Sequence, residues 1–320
     1  MRLVSLILAA TMSAATLAAT PVDGPAVKPR LHNSTMAFAD FWEANKDKPS
    51  AERLAAFRAR VAPEFPQFYG AARFEGHLTQ AQQDARIEEA IAQFPAIRTQ
   101  YVKKAQQFDS ALPGYLASFK ASFPDFTPPD DIYVLHSLGE MDGGTRTLNG
   151  KDYLIFGIDG MVRYHAAGSD PSAFFHHELF HTYHEKVMEA CDGDVVPVWA
   201  NLWMEGLAVY VSKVLNPAAN DEELELDFPR GSAEPTRQAA RAGMMHLETV
   251  LESTDQKTLG ALFSTGKDDT GLPSRRGYYL GYLVAQEAGK RHSLQELATL
   301  DCKRAHALVT ATVHALNAAP

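Results

Sequence analysis

The stretch His177-Glu178-Leu179-Phe180-His181 has the form His-Glu-x-x-His. On an α-helix, residues four apart stand one above the other, about 6 Å apart along the axis. Both imidazoles can therefore reach one metal ion. Glu178 follows the first histidine and sits beside that ion, where a carboxylate can take a proton from metal-bound water. Phe174, Phe175, Phe180 and Tyr183 make the flanks apolar and aromatic, as in a buried helix. Ionisable groups on a buried helix need a partner or a coordinated ion. The pattern predicts a helix from about Ser169 to Ala190, with Ser169 or Asp170 as cap and Pro171 in the first turn. The competing reading is a chance five-residue match.

A third ligand decides between them. After a break at Cys191-Asp192-Gly193-Asp194, Pro197 precedes a second expected helix, Val198 to Leu215, containing Trp203-Met204-Glu205-Gly206-Leu207-Ala208-Val209-Tyr210. Glu205 is a carboxylate in an apolar helix, costly unless coordinated, and Gly206 lets another backbone approach. The rivals are weaker. His184 lies seven residues past His177, about 10 Å along the axis, too far for one ion bonded at about 2 Å. His176 points to another side, and Asp192 and Asp194 fall in a turn.

The pair of motifs resembles the gluzincin metallopeptidases, in particular their aminopeptidase-like branch and related zinc-dependent proteases. The resemblance covers about 170 to 215, with an extension towards 290. It implies that His177, His181 and Glu205 bind Zn2+ and that Glu178 is the general base. It also implies that a tyrosine from a later helix, Tyr278 or Tyr279, stabilises the oxyanion, with Arg275 or Arg276 as a substrate-carboxylate or structural partner. There are departures: Val209 stands where the thermolysin-like pattern has an aspartate, the third histidine of metzincins is missing, and no Gly-x-Met-x-Asn exopeptidase signature is evident.

Outward from the motif, 320 residues with 46% hydrophobic content allow one large domain or two modest ones. The net charge of −9 gives no support for nucleic-acid binding. Residues 1–19 read as a signal peptide: Arg2, an apolar run from Leu3, then small residues at Ala18 and Ala19. A periplasmic or secreted protein without a stable membrane span follows. Residues 20–34 read as a linker. Residues 35–127 read as a helical N-terminal region, with helices at Thr35 to Asn45, Ser50 to Val61, Thr79 to Gln93 and Ala96 to Phe108, the last two broken at Pro95, and a further one ending near Phe123.

From Pro128-Pro129 to residue 320 the chain reads as the zincin-like metallopeptidase region. Ile132 to Leu135 is a strand, Gly139 to Gly150 a glycine-rich connection, and Tyr153 to Ile158 with Met161 to Tyr164 two strands or one bent strand. An exposed edge of that sheet offers a place for a substrate to add as a strand. Asn216 to about Arg237 is an acidic loop flanking the site. Further helices are expected at 236–251, 274–290 and beyond His292. Two cysteines, Cys191 and Cys302, are too few for a disulfide scaffold; whether they pair is open. The fold class is α+β, mainly helical: a small β-sheet beside the His-Glu-x-x-His helix and a helical N-terminal scaffold. The function expected is an exported zinc-dependent hydrolase acting on a peptide or protein substrate. The alternative is a non-catalytic exported zinc- or peptide-binding protein, and hydrolysis of a non-peptide ester or amide would use the same site.

Overall fold

A four-stranded sheet in the order β1-β2-β4-β3 seats the metal-motif helix. In a computed structural model, residues 29–74, 78–166, 168–191 and 195–319 are described. The expected signal peptide lies outside them. Strand β1 is Arg30–Asn33, β2 Asp131–Leu135, β3 Gly143–Leu148 and β4 Lys151–Gly157. β1, β2 and β4 run parallel, and β3 is antiparallel to β4. The helices are α1 (Thr35–Asn45), α2 (Ser50–Arg60), α3 (Pro66–Tyr69), α4 (Gln80–Ser122), α5 (Ile158–Tyr164), α6 (Ser172–Met188), α7 (Val198–Leu215), α8 (Ala233–Gln238), α9 (Ala240–Val250), α10 (Gln256–Phe263), α11 (Arg276–Ala288), α12 (Leu294–Ala298) and α13 (Cys302–Ala318). The fold is α+β and mainly helical, as the sequence indicates.

Four local expectations are corrected. The end of the linker, Arg30–Asn33, is an edge strand, fastened where Arg30 donates two hydrogen bonds to Asp131 at 2.8 Å. The two helices meeting at Pro95 and the further one expected to end near Phe123 are one 43-residue helix, α4. Proline removes an N–H and frees the carbonyl four residues back; here that is Ile91, which accepts a hydrogen bond from the Trp42 indole at 2.9 Å. The glycine-rich connection contains strand β3, turned into β4 through Asn149 and Gly150, both at positive φ, as a two-residue hairpin requires. Met161 to Tyr164 belongs to helix α5 rather than a strand. Gly160 is needed there because a Cβ would stand 2.2 Å from the Met141 carbonyl oxygen.

One apolar core runs through these layers, from Phe38 in α1 to Val313 in α13. Phe108 of α4 and Phe175 of α6 meet Phe156 of β4 with ring centroids 5.4 and 4.8 Å away, which fixes α6 against the sheet. Asp170 Oδ1 accepts from the Ser172 amide at 2.9 Å at the start of α6. Helix α7 packs between α6 and α11. Its first amides donate to carbonyls of Ser253 and Leu251 at 2.9 Å, so its buried start has partners. Among the described residues, no helix is long and apolar enough to cross a membrane. Cys191 and Cys302 are not joined by a disulfide.

Candidate metal centre and active site

Helix α6 turns His177 and His181 towards α7, which offers Glu205. The two Nε2 atoms are 2.9 Å apart, and Glu205 Oε2 is 3.4 Å from His177 Nε2 and 3.3 Å from His181 Nε2. Ligands bonded at about 2.0–2.1 Å in a tetrahedron stand about 3.3 Å apart, so the triangle matches one face of such a site. Glu205 Oε2 is buried and has no hydrogen-bond partner among the described residues, an arrangement that costs free energy unless a cation answers it. Burial drives the Glu205 carboxyl upward, yet the charge of His181, with His177 beside it, holds it well below the usual range. Burial likewise opposes a charge on His181, and Glu205 overrides it, raising the imidazole to about 9. The donor set, two imidazoles and a carboxylate, suits zinc.

Glu178 points beside this triangle. It is 8% exposed, and burial, aided by Glu225 and Asp142 against the opposing charges of His177 and His181, pushes its carboxyl up to about 7. A carboxylate tuned near neutrality can both take and return a proton. Strand β3 crosses close to it. A Cβ on Gly144 would lie 3.3 Å from Glu178 Oε2, and one on Gly143 would lie 2.5 Å from the Phe174 ring. The path into β3 is set by buried Asp159, whose carboxylate accepts from the amides of Ser137 (2.5 Å) and Gly139 (2.8 Å).

Helix α11 supplies the opposite wall. Tyr278 lies parallel to the His177 ring, with centroids 6.4 Å apart at 17°, and burial holds its hydroxyl well above its ordinary pKa. The Arg275 guanidinium sits 3.8 Å over the Tyr278 ring and 5.1 Å over Phe228, and donates to the Glu225 carbonyl at 2.6 Å. A cavity of about 520 Å³ opens between these walls, bordered by β3, the histidine pair, Glu205, Tyr278 and the 222–228 loop.

The expected ligands and base thus come together, as does one of the two tyrosines. Tyr279 does not: one step along a helix turns a side chain by about 100°, and Tyr279 lies beside Tyr282, outside the cavity lining. Arg276 is buried and paired with Asp268, a structural role. His176 is bonded to Ser118 and Asn216, away from the triangle. His184 borders the cavity with neither ring nitrogen bonded among the described residues, and burial lowers its pKa to about 3. Asp192 and Asp194 lie outside the described residues. Gly206 does admit a close backbone, but that backbone belongs to α11, not to α6: its Cβ would stand 2.1 Å from the Gly281 carbonyl carbon.

Sequence reasoning missed Asp142, His165 and Glu225, which border the same cavity. The Asn149-Gly150 dipeptide was the available signal for the β3–β4 hairpin, and so for the strand that follows Asp142; nothing local marks the other two. Compared with known proteins, the chain matches no family model, no curated protein and no solved structure.

Proposed function

We propose that the chain is a zinc-dependent hydrolase and that its substrate is a peptide bond. The observation that carries this reading is the triangle of His177, His181 and Glu205, one corner of it a buried carboxylate oxygen without a hydrogen bond among the described residues, standing next to an intact Glu178. Bound by those three residues, zinc supplies a polarised water and an electrophile for the substrate carbonyl oxygen. Glu178 accepts the proton as the carbonyl is attacked and returns it to the leaving nitrogen. Tyr278, kept protonated by burial, donates a hydrogen bond to the carbonyl oxygen as charge builds there. The substrate backbone pairs with the edge of β3 that faces away from β4, which lays an extended chain past Glu178 and the histidines.

The test is a pair of variants read by two methods. Glu178→Gln is expected to retain zinc by elemental analysis while losing roughly 10²–10⁴-fold in cleavage of quenched peptides. His177→Ala is expected to lose the metal. Full turnover by Glu178→Gln removes the base assignment. A wild-type protein that binds zinc but hydrolyses neither peptides nor simple esters and amides is a binding protein on this scaffold, not an enzyme.

A further inference from the structure

Beyond the histidine pair, a second set of donors converges in the same cavity. Asp142 comes from the connection between β2 and β3, His165 from the end of α5, and Glu225 from the 216–232 loop. Their ligand atoms all lie within 4.8 Å of one another, with Asp142 Oδ2 3.0 Å from His165 Nε2. The His165 side chain is 9% exposed, that of Asp142 20% and that of Glu225 14%. The nearest guanidinium is not a strong partner for Glu225: Arg275 approaches its carboxylate only to 4.0 Å and spends a closer contact on its carbonyl.

An independent observation points to a cation here. Glu178 is more than nine-tenths buried, its carboxylate makes no hydrogen bond or ion pair among the described residues, and it lies within 4.8 Å of both a His177 nitrogen and a Glu225 oxygen. Two carboxylates so close on one cavity wall repel; a proton on one relieves that by giving up its charge, whereas a cation beside them keeps both ionised. We propose that Asp142, His165 and Glu225 form a second divalent-cation site beside the first. One nitrogen and two carboxylate donors select a first-row transition ion, zinc or manganese, over calcium, which prefers oxygen alone. Such an ion neutralises Glu225 and leaves Glu178 flanked by two metals.

The full-length protein is loaded with zinc or manganese, dialysed, and its metal content measured, with cobalt substitution giving a visible spectrum for each site. The wild type is expected to hold two equivalents. His165→Gln, Asp142→Asn and Glu225→Gln are each expected to hold one and to keep the spectrum of the first site, which also shows that they fold. Glu205→Gln is expected to weaken the first equivalent and keep the second. A wild type that saturates at one equivalent, abolished by Glu205→Gln and untouched by His165→Gln, overturns the second site and leaves the hydrolase reading standing. One equivalent abolished by His165→Gln and untouched by Glu205→Gln supports the second site and removes the first. Two equivalents that survive in all three second-site variants overturn the proposal as well.

Discussion

His136 is wholly buried, stacked on Phe38 with ring centroids 3.7 Å apart. Its Nδ1 accepts from the Leu138 amide at 3.1 Å, so the ring is neutral with its proton on Nε2. Burial lowers its pKa from 6.5 to about 4, with Asp159 opposing and Arg163 assisting. The unfolded chain therefore binds a proton below about pH 6.5 that the folded chain refuses until about pH 4. Stability falls as pH is lowered through that window, by at most about 3 kcal/mol. Denaturant midpoints measured from pH 7 to pH 4 should fall less steeply for His136→Gln than for the wild type; parallel profiles would refute the neutral assignment. At this scale the sequence exposed the residues whose spacing carries the chemistry, His177, Glu178 and His181, since four residues on a helix fix a geometry. Asp142, His165 and Glu225 have no such spacing. They meet only because three connections fold over one cavity.

The contact between α7 and α11 is made of two glycines. A Cβ on Gly206 would meet the Gly281 backbone at 2.1 Å, and one on Gly281 would meet the Leu202 carbonyl oxygen at 2.5 Å. Both obstacles are backbone, so neither can swing aside. Gly206→Ala is expected to cost about 1–3 kcal/mol through overpacking and to lower turnover, because α11 carries Tyr278 to His177. Gly114→Ala in α4 is the control: nothing lies within 4 Å of its Cβ, and it should be neutral or stabilise by up to about 1 kcal/mol. Equal melting temperatures for the two variants would show that the helix contact is slack. The rough extent of α7 was legible, since its apolar run begins directly behind Pro197 and stops near Asn216. Sequence reading misread α4, because the carbonyl that Pro95 frees is answered by a partner distant in sequence, the indole of Trp42, and the helix runs on through Pro113 as well. It misread Met161 to Tyr164 because a short apolar run has no period of its own.

Across the whole molecule, α6, α7 and α11 form the block against which the sheet and α4 pack, and the three proposed zinc ligands span the α6–α7 seam from opposite sides. An ion bound there holds only the folded chain. By mass action it adds about 2.7 kcal/mol when free zinc is a hundred times its dissociation constant. For a chain of 320 residues each kcal/mol moves the melting temperature by roughly 1.5 °C, so chelation is expected to lower it by about 4 °C. Glu205→Gln leaves the seam packed but removes one of its three donors, and most of the zinc-dependent shift should go with it. Melting curves recorded with excess zinc and with a chelator decide the matter. If they coincide for the wild type, the buried Glu205 oxygen is satisfied by the imidazoles alone. The seam then owes its stability to packing between the helices rather than to an ion.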